Sequence, residues 1–339
     1  MCGRTACTLD PQQLCKACRA NKIRGYEGEV KWREAPGKKD AYTPRYNLAP
    51  NVYNPILVSG HHFVGAGDKE TDTGSTESSE KTDEEDIIAD DLVIQPMRWG
   101  LLPAYHNEAT KFSYSTINAR AENIMQKQTY RVPLSKGRRC VVLADGFYEW
   151  KRGPKGKQPY FIYFPQGKPI AWDHPENENG GKVWTGRRLL TMAGIFEINR
   201  TGEYPLFTYS IITVDASDKL AWMHDRMPAL LDGNEAVGKW LDSENVPLEE
   251  ALMLLKPIEN VAYHAVTSAM GNVRNQGPEC IVPLQEKKVT PVAASKQTKT
   301  LLHYFKPQRQ AQKNDGTKSE EGSSEESEQG SAPKAPKTT

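Results

Sequence analysis

The chain has 339 residues, 37% of them apolar and 26% charged, with a mean hydropathy of −0.67. No apolar run approaches the ~20 residues a membrane helix needs, which excludes a helical membrane-spanning protein. The formal net charge of +1 hides a segregation: residues 65–91 hold eleven acidic and two basic side chains, residues 286–339 hold ten basic and seven acidic, and the remainder carries +7.

The chain opens Met1-Cys2-Gly3-Arg4, with no basic segment leading into an apolar one, so no secretory signal is expected. With that, the six cysteines read as reduced thiols of the cytosol or nucleus. Removal of Met1 would leave Cys2 as a 1,2-aminothiol, with an amine of pKa ~8 and a thiol of pKa ~8.5 on adjacent carbons. Such a pair can close an aldehyde into a five-membered thiazolidine, and amino-terminal nucleophiles that use their own amine are a catalytic class. The plainer alternative is a cysteine that happens to follow Met. Cys15 and Cys18 have the spacing of a zinc knuckle. The upstream cysteines Cys2 and Cys7 are spaced differently and no second knuckle follows, while Pro11 to Ala20 reads as a short helix. No metal is expected, and no cofactor.

Two strand-like runs follow, Ile56 to Val64 and Leu92 to Trp99. Residues 65–91 interrupt them with almost no apolar residue before Ile87, a composition that predicts a disordered loop. Ser115 to Glu122 passes from strand-like to helical, and Asn118 or Thr116 is placed to cap a helix there. Further strands are predicted at Cys140 to Ala144, Tyr160 to Phe164, Leu189 to Phe196, Tyr209 to Val214 and Val261 to Val266. Helices are few: Asn234 to Leu241 after a cap at Asp232, then Leu248 to Leu255. Many strands with few crossover helices predict an α+β fold with a mainly antiparallel β core and short flanking helices. That core spans residues 1–285, and 286–339 is a polar tail predicted to be disordered.

Two segments place titratable groups in apolar settings. Val141 to Trp150 sets Glu149 among aromatics after a buried strand, where a raised carboxyl pKa suits a general acid or base. Pairing with a nearby Arg or Lys is the alternative. Met223 to Pro228 sets His224 beside Asp225 and Arg226, a group able to shuttle protons near neutral pH.

Five segments occur in a fixed order: Met1-Cys2-Gly3-Arg4, Pro96-Met97-Arg98-Trp99-Gly100-Leu101, Asn118-Ala119-Arg120, Asp145-Gly146-Phe147-Tyr148-Glu149-Trp150 and His224-Asp225-Arg226-Met227-Pro228. Together they resemble the SOS-response-associated peptidase (SRAP) domain over residues 1–285, and the Gly137 to Ala144 stretch resembles its animal members. The resemblance implies a protein that binds single-stranded DNA bearing an abasic site and crosslinks itself to the lesion. In that reading the amine of mature Cys2 attacks the sugar aldehyde and its thiol closes a thiazolidine. Glu149 assists proton transfers, His224 protonates the sugar oxygen and Asn118 orients the amino terminus. Autocatalytic removal of Met1 is the proteolytic event implied. A noncovalent reader of DNA, for instance of 5-hydroxymethylcytosine, and a thiol peptidase are the competing readings.

Arginines in or near these segments suit phosphate contacts: Arg4, Arg98, Arg120 and Arg226 are the DNA-binding candidates, with Arg45 nearby. Trp99 and Tyr114 are candidates for stacking on unpaired bases. In the tail, residues 298–305 resemble a PIP box that docks on the replication clamp PCNA, with Leu301, Tyr304 and Phe305 on one face. The Gln of that motif is out of register: Thr298 takes its position beside Gln297. A monomer acting in the nucleus, on chromosomes at replication forks, is expected.

Overall fold

In the computed structural model the chain runs β1 (Thr5–Cys7), α1 (Pro11–Ala20), β2 (Val30–Trp32), β3 (Arg45–Leu48), β4 (Tyr53–Ser59), β5 (Leu92–Trp99) and β6 (Asn118–Arg120). It continues with α2 (Gln128–Ser135), β7 (Arg139–Ala144), β8 (Gly146–Gly153), β9 (Gly156–Tyr163), β10 (Leu190–Asn199) and β11 (Leu206–Asp215). The last elements are α3 (Asp218–Ala221), β12 (Arg226–Pro228), α4 (Asn234–Leu241), α5 (Leu248–Leu252) and β13 (Ala262–Ala265). The structure describes residues 2–20, 23–64, 87–106, 114–154, 156–167, 184 and 186–284. Most of the acidic insert and the whole tail, with Leu301, Tyr304 and Phe305, lie outside the described residues, as does the side chain of Tyr114. Contacts divide the chain into Met1–Glu286 and Lys287–Thr339, and every element named here belongs to the first unit.

Two sheets carry the fold. One has five antiparallel strands in the order β13-β9-β8-β1-β3; the other runs β12-β11-β10-β7-β4-β5-β2. An additional parallel pairing of β11 with β5 closes β11-β10-β7-β4-β5 into a ring, and β6 also joins β11 in parallel. The α+β, mainly antiparallel architecture matches the sequence reading. Its strands explain why: β4, β7 and β10 are buried on both faces, so they appear as continuous apolar runs.

The chain crosses from the larger sheet to the smaller one between β7 and β8, at Asp145-Gly146. A Cβ on Gly146 would lie 2.4 Å from the Ile162 carbonyl and 2.5 Å from the Phe161 ring, so no side chain fits at the crossing. Asp145 fixes it from the other side. Its Oδ2 accepts from Thr8 N at 2.9 Å and Thr8 Oγ1 at 2.6 Å, and Arg187 Nη1 lies 3.4 Å away. The main core draws on both sheets and on the helices, with Trp99, Tyr209, Phe147 and Trp240 among its largest side chains. Each contributes roughly 1.5–3 kcal/mol through burial.

Several local expectations are corrected. The Asn234–Leu241 helix is found, but its cap is Gly233 at φ 99. The Asp232 carboxylate instead accepts from Asn260 at 2.6 Å and pairs with Arg188. The helix from Leu248 ends at Leu252, because Leu254 and Leu255 bond three residues back instead of four. The run from Ile56 leaves the sheet after Ser59: Gly60 N–H turns to the Asp91 carbonyl at 2.7 Å and a single 3-10 turn follows. Around Ser115 there is no helix cap. Asn118 begins β6, flanked by 3-10 turns at Tyr114–Thr116 and Ala121–Asn123.

Candidate active site

The site is built around the amino-terminal end of β1, which lies between the edge strand β3 and the central strand β8 of the five-stranded sheet. Thr5 pairs with Phe147 and Ala6 with Gly146. The ladder continues upstream, since Tyr148 N–H donates to the Arg4 carbonyl at 3.0 Å. The same register carries Gly3 opposite Glu149. The segment that gives the first strand its pairing partner therefore also brings the carboxylate to Cys2.

Cys2 is fully buried, its Sγ 3.9 Å from the Arg4 carbonyl. Burial pushes its thiol far above the ordinary range, and the Glu149 charge adds to the shift. Asn118 Nδ2 donates to the Cys2 carbonyl at 2.8 Å. Tyr130 steadies β6 by donating from its hydroxyl to the Asn118 carbonyl at 3.1 Å. Asn118 Oδ1 is buried and has no hydrogen-bond partner among the described residues.

Glu149 is 5% exposed, and burial raises its carboxyl pKa, with His224 among the positive groups that pull it back down. His224 follows α3 and accepts from Arg226 N–H at Nδ1, 3.0 Å away. The same Nδ1 stands 2.8 Å from Asp225 Oδ1. A neutral ring accepts from Arg226 and carries its proton on Nε2; a protonated ring turns Nδ1–H to Asp225. The four predicted catalytic residues thus converge: Asn118 holds Cys2, Glu149 acts on Cys2, and His224 acts on Glu149.

The predicted DNA contacts separate. Trp99 is 0% exposed, its Nε1 donates to the Ile117 carbonyl at 3.0 Å and its ring stacks on Tyr209 at 6.2 Å. It is a core residue and has no face to offer a base. Arg226 is equally committed, being 7% exposed, with Asp215 at 2.6 Å, Glu122 at 2.9 Å and the Thr213 carbonyl at 2.7 Å. Its guanidinium ties β12 to β11 rather than reaching phosphate. Arg4 is half-buried and donates to Asn47 Oδ1 at 2.8 Å. Asn47 in turn donates from Nδ2 to the carbonyls of Met270 and Asn272, at 2.7 and 3.0 Å. Arg98 is half-buried beside Tyr53, and burial lowers its pKa. Arg120 is exposed, on the strand that carries Asn118 and two residues beyond it, hence on the same face. Arg45 is exposed at the start of β3.

Cys15 and Cys18 both lie on α1, Cys18 buried. Among the described residues no three His, Cys, Asp or Glu side chains converge as metal ligands. Sequence reasoning missed Thr8, Arg187 and Asn47. Their work is done by contacts 42 to 225 residues apart along the chain, which no local pattern reveals.

A ring-and-sheet α+β fold, with a buried second-residue cysteine beside a glutamate that in turn faces a histidine, defines the class. Residues 1–273 match the family model "SOS response associated peptidase (SRAP)", and the chain belongs to that family. It is 42% identical over 313 residues to the abasic site processing protein HMCES of Gallus gallus, covering 90% of this chain and 84% of the relative. It is 28% identical over 304 residues to the abasic site processing protein YMR114C of Saccharomyces cerevisiae, covering 84% and 68%. Among solved structures, a protein from Bacteroides thetaiotaomicron superposes with a TM-score of 0.54 at 22% identity, covering 84% of this chain and all of that one, a likeness of fold.

Proposed function

We propose that this protein processes abasic sites in single-stranded DNA by linking itself covalently to the lesion through Cys2. The observation that carries the reading is the junction of Cys2 with Asn118 and Glu149, all three buried, at the amino-terminal end of β1. The relatives named as abasic site processing proteins support it. Removal of Met1, the cleavage that the family's peptidase name suggests for this chain, frees the Cys2 amine.

In the open form of an abasic sugar, C1′ is an aldehyde. The Cys2 amine adds to it, and loss of one water gives a Schiff base. The thiol then adds to the same carbon, its proton passing to nitrogen, and the thiazolidine is complete. Glu149 carries protons between these steps, its raised pKa bringing it closer to the working pH. His224 delivers the proton to the ring oxygen as the sugar opens and takes it back on reversal. The unpartnered Asn118 Oδ1 accepts from the amine or a sugar hydroxyl. A thiol kept protonated by burial waits unreactive until the aldehyde arrives.

The same proposal sets the protein in the nucleus, on chromosomal DNA at replication forks, with Leu301, Tyr304 and Phe305 docking on the replication clamp. The chemical core is tested by incubating Met1-processed protein with single-stranded DNA bearing one abasic site and weighing the product. An adduct one water lighter than protein plus ring-opened DNA, absent from Cys2→Ala, is the expected result. Confirmed binding without any adduct would replace this reading by a noncovalent DNA reader.

A further inference from the structure

Beside Glu149 the five-stranded sheet carries an aromatic group that the chemistry above does not use. Glu149 stands opposite Tyr160 in the β8–β9 ladder, and Lys151 lies two residues further along the same face. Strand β13 brings Tyr263 to that face through its pairing with Ile162. Trp222, the residue that ends α3 two positions before His224, leans against them. Its ring centroid is 5.1 Å from that of Tyr160, edge to face at 88°, and 5.4 Å from that of Tyr263. Lys151 Nζ sits 4.4 Å from the centre of the Trp222 ring. The indole Nε1 donates to the Lys219 carbonyl at 2.9 Å, which fixes the ring's orientation. Even so, Trp222 remains 38% exposed.

A tryptophan held by two tyrosines, partly exposed, with an exposed lysine's ammonium over its ring, is an arrangement that meets a planar, anionic partner. The tyrosines remove the rotamer entropy that binding would otherwise cost. The lysine has a second site available once a phosphate arrives. Continuity with Glu149 on one side and His224 on the other places the cluster next to the reacting sugar.

We propose that Trp222, Tyr160 and Tyr263 form a stacking subsite for the unpaired base adjacent to the abasic nucleotide, with Lys151 moving from the indole to that nucleotide's phosphate. This rests on the single-stranded DNA reading above and adds to it a requirement for a base at one neighbouring position. Trp222 is then a specificity residue that separates a lesion flanked by bases from a bare sugar-phosphate run.

The test uses the full-length chain carrying Cys2→Ala, so that only noncovalent binding is read. Fluorescence anisotropy is measured with labelled single strands containing one tetrahydrofuran abasic analogue. In the parent strand both neighbouring nucleotides carry bases; in two others the base on one side or the other is absent. Adding Trp222→Ala is expected to weaken binding to the parent strand on the order of tenfold. The loss should vanish on one of the two base-lacking strands, and Trp222→Phe should retain most of the affinity. An equal loss on all three strands, or none on any, overturns the subsite while leaving the DNA reading intact. Absence of binding to every strand by the Cys2→Ala protein itself would overturn both. A melting temperature unchanged in Trp222→Ala separates lost stacking from lost folding.

Discussion

Asp145 and Glu149 belong to one short motif, are both buried, and both have carboxyl pKa values raised chiefly by burial. Asp145 is met by Arg187 and by two donors of Thr8, so its charge is spent in fastening the carboxyl-terminal end of β1 across the sheet crossing. Glu149 faces the other end of the same strand, where its charge falls on Cys2 and His224. One strand is thus tied down at one end and meets a cluster of titratable groups at the other. Burial alone does not mark a catalytic carboxylate. What distinguishes the two is whether the surrounding groups are fixed donors or are themselves nucleophiles and proton carriers.

The largest expected effect comes from breaking the tied end. Asp145→Ala leaves Arg187 buried without its carboxylate and strips Thr8 of its acceptor, which should cost about 3–5 kcal/mol. Chemical denaturation measures it, and a midpoint equal to that of the unaltered protein would show that β1 is anchored elsewhere. At the reactive end, Glu149→Gln should leave the fold intact and slow crosslinking by about 10²- to 10⁴-fold. The Glu149 variant should also change the response to pH. A carboxyl whose folded pKa is raised binds more protons folded than unfolded, so its stabilising contribution is full below the ordinary carboxylate range and is lost as pH rises through the raised value. Glu149→Gln removes that loss. Its melting temperature should therefore gain on that of the unaltered protein as the pH is raised above the carboxylate range, and a constant difference would refute the burial argument.

Legibility from the sequence followed the same division. Strands buried on both faces stood out as apolar runs, and the helices α1 and α4 were found at their true limits. The four residues that converge at Cys2 were expected there because the resemblance carried them motif by motif. By itself, the Asn118 segment suggested a helix cap, and only the pairing of β6 with β11 shows why Asn118 reaches Cys2. Trp99 and Arg226 were misjudged for one reason: the sequence shows residue type but not which face a strand buries. Trp99 ends a strand closed by a long-range parallel pairing with β11, and Arg226 meets acids on β11 and on the 3-10 turn after β6. Such pairings join distant segments and leave no local period. Trp222 went unnoticed for the converse reason, since nothing beside it in the chain signals its two tyrosine neighbours.

Arg226 and Arg120 sharpen the lesson with the smallest effect. Both lie in the motifs, yet one is locked between two carboxylates and a carbonyl while the other is exposed on the strand that holds Asn118. Arg226→Ala should lower the melting temperature, because it leaves the Thr213 carbonyl without that donor and removes the guanidinium that reinforces the β11–β12 ladder. Arg120→Ala should leave melting unchanged and weaken binding to single-stranded DNA modestly, through the loss of one phosphate contact. The decisive readout is the salt dependence of affinity, whose logarithmic slope should fall by about 0.7 in Arg120→Ala. If the slope is unaltered there and falls in Arg226→Ala, the assignment of the two arginines is reversed. The buried one would then release its carboxylates to grip DNA, and the strand pairing of β12 would be part of the binding event.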